Sequence, residues 1–411
     1  MDMTRRRWLV LFFACLTNLC IGSVYAWSVF AAPMAEHLSL LTGTALTTAD
    51  LAIVYTVANS VGPITMISGG WINDKFGPQK VILVGGLMFG GGMILSGFAT
   101  SVGMLIATYG LLGGLGLGMA YGCTISGCVK FFPDKRGLIG GLTTAAYGFS
   151  SVILPPAVNV LVSKTGVKTA FIAVGIVFMV IVCVSSRFII SCPEGFVPDG
   201  WNPPVQTGGS AGAVNKNWKE MLASPIFYIM ILTLMSGAFS GMMIISQASA
   251  VGTEMIGLSV AAAGIAVSVL ALFNSLGRIV AGSLSDRIGR VNTLTLACVL
   301  SVVGNLILYS CKEGSIALFY VGISVVGICF GAFMGVFPGF TADQFGSANN
   351  SVNYGIMFIG FAMAGYFGPT IMKQVYYGDG AYTRAFLIAA ALSVAGIVLT
   401  VIYRVAAGKK S

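Results

Sequence analysis

The chain has 411 residues, of which 56% are hydrophobic and only 9% charged, whereas a soluble domain carries about 25% charged residues; so few charges cannot cover a water-facing surface of this size. The net charge of +9, from 22 Lys and Arg against 13 Asp and Glu, does not indicate a nucleic-acid partner, because the basic residues lie in short stretches between apolar runs. The nine cysteines include no C-x-x-C pair and mostly sit inside those runs, so they are read as small buried residues rather than a disulfide frame or a metal site.

Crossing ~30 Å of hydrocarbon takes about 20 apolar residues. Runs of that length are expected at residues 8–32, 51–72, 81–99, 102–129, 138–160 and 168–190, then at 225–250, 258–284, 293–310, 316–342, 351–373 and 385–404. The first follows Arg5, Arg6 and Arg7 and is longer than the ~7–15-residue core of a cleaved signal peptide, so it is expected to be retained. Along the fourth, Gly113, Gly114, Gly116, Gly118 and Gly122 place small residues one helical turn apart, the pattern of close helix contact in a bilayer. The longest polar interruption, 191–221, holds Pro193, Pro198, Pro203, Pro204, Gly208 and Gly209. It divides the sequence into an N-terminal six-helix bundle, 1–190, a cytoplasmic linker, 191–221, and a C-terminal six-helix bundle, 222–411.

Orientation follows from the Lys and Arg of alternate loops. Sixteen of the 22 fall on the side of the N-terminus; five, Lys164, Lys168, Lys312, Lys373 and Arg384, fall on the other; the remaining one, Arg278, lies inside the eighth span. Both termini are therefore expected in the cytoplasm.

The two halves repeat each other. Gly70-Trp71-Ile72-Asn73-Asp74-Lys75-Phe76-Gly77 after the second span matches Gly282-Ser283-Leu284-Ser285-Asp286-Arg287-Ile288-Gly289 after the eighth, at an offset of 212. At an offset of 213, Gly118 and Gly122 match Gly331 and Gly335. This doubled G-x-x-x-D-[RK]-x-G loop resembles the signature of the major facilitator superfamily, whose two halves are parallel repeats. The resemblance implies an all-α membrane protein with twelve transmembrane helices in two six-helix bundles. It also implies conformational roles for Asp74, Lys75, Asp286 and Arg287, through ion pairs that form and break at helix ends. Further segments resemble one branch, that of oxalate:formate antiporters and monocarboxylate carriers. They are Gly22-x-x-Tyr25-x-Trp27-Ser28-Val29-Phe30, Phe132-Pro133-Asp134-Lys135-Arg136-Gly137, the linker from Pro193 to Pro204, and Trp218-Lys219-Glu220-Met221-Leu222-x-x-Pro225.

Arg278 carries the chemistry. An arginine well inside a span costs at least ~2.5–3.5 kcal/mol and needs a partner or an aqueous cavity. Helical side chains lean toward the helix N-terminus, which for this span is the outer side, so the guanidinium leans to mid-membrane and toward Asn274, one turn earlier on the same face. Its planar fork suits a carboxylate, which it can hold through two parallel bonds, and Asn274 can donate a further bond or hold the plane. Asn274-x-x-x-Arg278 resembles the oxalate:formate antiporter pattern, whereas animal monocarboxylate–proton symporters carry Asp-x-x-x-Arg. The oxalate carriers have a lysine a few residues after Asn-Tyr-Gly-Ile in span eleven; here Asn353-Tyr354-Gly355-Ile356 is followed by Phe358 and Phe361. One cation in place of two fits a monoanion. By resemblance, pore walls would include Tyr121, Phe330, Phe333, Phe337, Phe358 and Phe361, with Gln247 and Tyr25 as polar candidates, although helix packing explains such residues equally well. His37, Asp50, Glu254 and Lys373 are read as groups near outer helix ends.

The reading is a secondary transporter of small monocarboxylates (lactate, pyruvate, formate or acetate) acting by alternating access with proton coupling, in a bacterial inner membrane. An oxalate:formate-type exchanger is the alternative, and a channel a more distant one. The expected partners are a small carboxylate, protons and the lipid bilayer, for a monomer without nucleic acid. No catalytic residue, metal or cofactor is expected.

Overall fold

A computed structural model of the chain describes residues 2–48, 50–202 and 215–408. The middle of the linker, with Pro203, Pro204, Gly208 and Gly209, and the final Lys409, Lys410 and Ser411 lie outside the described residues. Among those described there is no β-strand. Ten helical runs are long and apolar enough to cross a bilayer. One of them, Arg136–Phe188, is two helices joined at Gly166, whose φ of 80° and ψ of 160° break the helical path. A further helix, Ala52–Phe76, has the length but carries Asn59, Ser60, Thr65 and Ser68 among its apolar residues.

We number the twelve membrane-length helices α1 (Met3–Thr42), α2 (Ala52–Phe76), α3 (Pro78–Ser96), α4 (Val102–Phe131), α5 (136–165), α6 (167–188), α7 (Pro225–Met255), α8 (Val260–Ile288), α9 (Arg290–Ser310), α10 (Ile316–Phe345), α11 (Asn350–Asp379) and α12 (Thr383–Gly408). α1 runs well past the expected end at residue 32. Met34, Ala35 and Leu38 are buried and keep an apolar face until Gly43 caps the helix with φ of 70°. It also contains a 3-10 turn, Gly22–Ala26, and α4 and α7 contain π-helical stretches at Ile106–Gly113 and Val251–Met255. A short helix, Trp218–Leu222, precedes α7. Its capping box has Asn217 Oδ1 accepting from the Glu220 N–H at 3.1 Å and Glu220 Oε2 accepting from the Asn217 N–H at 2.8 Å.

Contacts divide the chain into two compact units. One takes the chain up to Phe132, then Ala146–Trp201 and Ala348–Ile356; the other takes Pro133–Ala145, Asn202–Ser347 and the chain from Met357. In the first unit α4 packs on α1, α2 and α3; in the second α10 packs on α7, α8 and α9, while α12 packs on α7 and α9. The start of α5 belongs to the second unit and the start of α11 to the first, and these two stretches occupy matching places in the repeat.

Glycine sets the closest approaches. In the first unit a Cβ on Gly118 would collide with the Gly62 carbonyl; in the second, a Cβ on Gly331 would collide with the Asn274 carbonyl and one on Gly335 with the Arg278 carbonyl. The α2–α4 and α8–α10 crossings are thus the same backbone contact in two copies. Both glycines of the repeated loop have a steric reason. Gly77 and Gly289 take φ of 86° and 90°, a region L side chains avoid. A Cβ on Gly70 would lie 2.8 Å from the Ser351 carbonyl oxygen, and one on Gly282 would strike the Gly137 carbonyl.

Gly331→Ala should therefore lower stability by about 1–3 kcal/mol through overpacking. Gly264→Ala, where a new Cβ meets nothing within 4 Å, should leave it unchanged. Thermal unfolding of the purified variants in detergent measures both; equal midpoints would show that the α8–α10 crossing has room to spare.

Candidate substrate site

Arg278 lies on α8 at 1% exposure, with Asn274 at 5% one turn earlier. Its Nε donates to Asn274 Oδ1 at 3.3 Å and its Nη1 to the main-chain carbonyl of Thr144 on α5 at 2.7 Å. Nη2 has no acceptor, and no carboxylate pairs with the guanidinium, among the described residues. The α8 backbone at this point is clamped on two sides, since a Cβ on Gly141 of α5 or on Gly335 of α10 would collide with the Arg278 carbonyl oxygen. A charge is thus held in the interior with neutral acceptors on two of its three nitrogens.

The aromatic candidates of the second unit fall into two sets. Phe330 and Phe333 are fully buried because α7 presents bare backbone to them: a Cβ on Gly237 would overlap the Phe333 ring and one on Gly241 the Phe330 ring. Phe337 stacks on Phe333 at 6.2 Å between centroids. These rings fill the α7–α10 seam. Phe361 is half-buried, stacks on Phe358 at 4.4 Å and sits 6.1 Å from Phe330. Gln247, on α7, is half-buried.

In the first unit, Tyr25 in the 3-10 turn of α1 and Tyr121 of α4 both touch Tyr147 of α5, with centroids 5.1 and 4.9 Å apart. Gly22 makes this possible: a side chain there would strike the Tyr147 carbonyl, so α5 lies directly on the turn. Tyr147 was not among the sequence candidates. The Tyr147-Gly148 pair has the same form as Tyr121-Gly122 and was the available signal.

The two loop aspartates are held alike, and not by their chain neighbours. Asp74 Oδ1 accepts from Lys130 Nζ at 2.7 Å and Oδ2 from the Val352 N–H at 3.2 Å, while Lys130 also donates to the Ala348 carbonyl at 3.1 Å. Beside it, Asn73 donates to Ser351 Oγ at 2.6 Å, and that hydroxyl lies 2.7 Å from Ser126 Oγ. Asp286 accepts from the N–H groups of Gly137 at 2.9 Å and Leu138 at 2.8 Å and from Arg290 Nη1 at 2.6 Å. Asp343 bridges Arg290 Nε at 2.8 Å and Arg136 Nη1 at 2.6 Å. Asp74 and Asp286 therefore each accept from the main chain at a helix start, where negative charge is favoured. Lys75 instead lies 5.3 Å from the Trp71 and Phe76 ring centroids, and Arg287 is exposed. Arg290 reaches Asp286 because the Gly289 turn, with its φ of 90°, folds the start of α9 back beside the end of α8.

The groups near the remaining helix ends are engaged locally. The Thr47 N–H and hydroxyl both donate to Asp50 at 2.7 Å and hold its carboxyl below the usual range. Tyr382 donates to Glu254 at 2.9 Å. His37 is half-buried and Lys373 exposed. Among the described residues no three His, Cys, Asp or Glu side chains gather as a metal site requires.

The family model of the Major Facilitator Superfamily matches residues 8–254 and 247–411. The chain is 29% identical over 392 residues to the oxalate:formate antiporter of Oxalobacter formigenes, covering 94% of this chain and 89% of that one. It is 26% identical over 347 residues to monocarboxylate transporter 12 of Xenopus laevis, covering 78% and 73%. Its fold is similar to the crystal structure of the Escherichia coli fucose:proton symporter FucP, with a TM-score of 0.69 at 12% identity over 96% of this chain and 97% of that one.

A double-mutant cycle separates the two cations beside Asp74. Lys130→Ala and Asp74→Asn should show a coupling of about 0.5–3 kcal/mol in thermal unfolding, as expected for contacting residues. Lys75→Ala with Asp74→Asn should be additive; coupling to Lys75 rather than Lys130 would contradict the geometry.

Proposed function

The chain belongs to the Major Facilitator Superfamily, and we propose that this multi-pass membrane transporter carries small monocarboxylates by alternating access, with Arg278 as the anion site. The observation that carries the reading is the buried guanidinium that has a spare nitrogen and no acid partner among the described residues. A buried guanidinium is a liability unless it is matched, and a carboxylate that arrives, pairs with it and leaves matches it reversibly. Within the same unit Gln247 offers a polar group for the rest of the substrate, and Phe361 and Phe358 an apolar surface. The likeness to a monocarboxylate transporter supports the substrate class.

The charge count favours a monoanion. With Phe358 and Phe361 after Asn353-Tyr354-Gly355-Ile356, a second carboxylate would be buried uncompensated, at a cost of several kcal/mol. The likeness to an oxalate:formate antiporter favours a second reading, carboxylate exchange. In the symport reading a proton accompanies the anion. The site residues Asp74, Lys130, Asp286, Arg290 and Asp343 serve the conformational cycle, with 1–190 and 222–411 as its two moving bodies. Both termini are assigned to the cytoplasm of a bacterial cell.

Uptake by proteoliposomes tests the reading. Arg278→Gln should abolish uptake of radiolabelled lactate while insertion persists, and Arg278→Lys should be nearly as damaging because an ammonium cannot form the paired bonds. Lactate-sized monoanions should compete strongly and oxalate weakly, and Phe361→Lys should shift that preference toward dianions. Accumulation driven by an inward proton gradient identifies symport; accumulation driven only by internal carboxylate identifies exchange. Oxalate preferred over every monocarboxylate would overturn the charge argument. For orientation, a cysteine at Asn215 should resist an impermeant thiol reagent applied outside intact cells.

A further inference from the structure

α5 and α8 meet along one face of each helix. Arg278, Gly282 and Asp286 follow one another at four-residue spacing on α8, and Gly137, Gly141 and Thr144 line the facing stripe of α5. At one end Asp286 takes the N–H groups of Gly137 and Leu138. In the middle a Cβ on Gly137 or Gly282 would strike the other's carbonyl, and one on Gly141 would strike that of Arg278. At the far end the Arg278 guanidinium donates to the Thr144 carbonyl. The residue assigned to the anion is therefore also the last polar tie in this seam.

We propose that the Thr144 main-chain carbonyl is the resident acceptor that the substrate carboxylate displaces from Arg278, and that this exchange loosens the start of α5 from α8. The inference rests on the carboxylate reading above and adds what binding does next. A carboxylate that takes the terminal edge of the fork claims the unengaged Nη2 together with Nη1, the nitrogen that the Thr144 carbonyl holds. It forms stronger bonds than a neutral carbonyl does. The two resident acceptors differ in how they can respond. The Asn274 amide can rotate and offer its N–H2 to the anion. The Thr144 carbonyl is fixed in a helix and can present only negative charge to it. On that edge the anion and the Thr144 carbonyl oxygen repel each other across Nη1, and Thr144 gives way with the α5 turn that carries it. At Gly141 and Gly282 the contacts on the way to Asp286 are glycine against backbone, and the Arg136–Asp343 pair is the side-chain tie that holds the first residue of α5 to α10.

Hydrogen exchange of the native protein in nanodiscs, with radiolabelled lactate binding measured on the same preparation, tests the proposal. Saturating lactate should speed exchange in peptides covering 136–145 on the order of tenfold, the scale of an ordinary coupling between sites. Ligands that merely add contacts slow exchange, so the sign is diagnostic. Lactamide, which lacks the carboxylate, should have no effect, and Arg278→Gln should abolish the response. By reciprocity, Asp286→Asn, which weakens the seam at its other end, should bind lactate severalfold more tightly. Lactate that binds while 136–145 exchanges no faster, or an Asp286→Asn affinity that is unchanged or weaker, would overturn the coupling and leave the anion site standing. A native protein that binds no lactate would overturn the carboxylate reading and the coupling with it.

Discussion

A guanidinium held away from water with no counter-charge from the described chain is the constraint around which the second unit is arranged. Arg278 cannot neutralise itself as a buried lysine can, because its affinity for the proton is too high. Its charge must instead be spread over dipoles brought close. Asn274 supplies one from the same helix, and the Thr144 carbonyl supplies another because α8 lies almost in backbone contact with α5. Gly141 provides that closeness, and Gly331 and Gly335 provide the same toward α10, each at a point where one methyl group would push the helices apart. In a bilayer, where lipid is as apolar as a leucine core, packing of this kind supplies much of the force between helices. The same glycines therefore hold the unit together and place the cation.

The internal repeat shows which parts of this arrangement are scaffold and which are chemistry. Gly118 on Gly62 and Gly331 on Asn274 are the same crossing, one turn of α2 against α4 and of α8 against α10. At the repeat offset of 212, Arg278 falls opposite Met66. The crossing geometry is kept in both halves, while the charge is confined to one. The loop acids follow the same division. Asp74 and Asp286 keep their role of capping N–H groups at a helix start. Their cationic partners, however, come from different places: Lys130 at the end of α4 in one unit, Arg290 at the start of α9 in the other. Lys130 and Asp343 occupy matching positions with opposite charge, so the second unit gains an acid that gathers two arginines where the first has a single lysine.

Much of the fold was legible because the bilayer imposes length and composition directly. Twelve runs, their order and the repeated loop needed only the hydropathy of successive residues and the spacing of Gly and Asp. The far end of α1 was not legible, because Pro33, Glu36 and His37 interrupt the apolar run while Met34, Ala35 and Leu38 continue its buried face. At the site, Arg278 and Asn274 were visible because a charge inside an apolar run is conspicuous and four residues make one turn. Thr144 was not, since it contributes a main-chain oxygen that any residue could supply. Lys130, Arg136 and Asp343 looked like ordinary loop charges; their pairing depends on which helices meet, which local sequence does not encode. Phe330 and Phe333 were named for position, but their surroundings are set by Gly237 and Gly241, nearly a hundred residues earlier in the chain.

The composition of the α5–α8 seam bears on how a transporter can be both rigid and mobile. Interdigitated side chains resist separation because each must leave its socket and find another rotamer, and close-packed interiors respond to such changes in discrete jumps. Between Gly137 and Thr144 on one side and Arg278 and Asp286 on the other, the apolar contact is backbone on backbone, with directional bonds concentrated at the two ends. Separation at Gly141 and Gly282 then empties no side-chain socket, and it calls for new partners for a few hydrogen-bonding groups, Arg136 and Asp343 among them. A carboxylate can serve Arg278, and water can serve Asp286 and the N–H groups it caps. The energy difference between joined and parted states is thereby reduced to a small number of exchangeable bonds, the range in which a ligand of modest affinity can decide between two conformations.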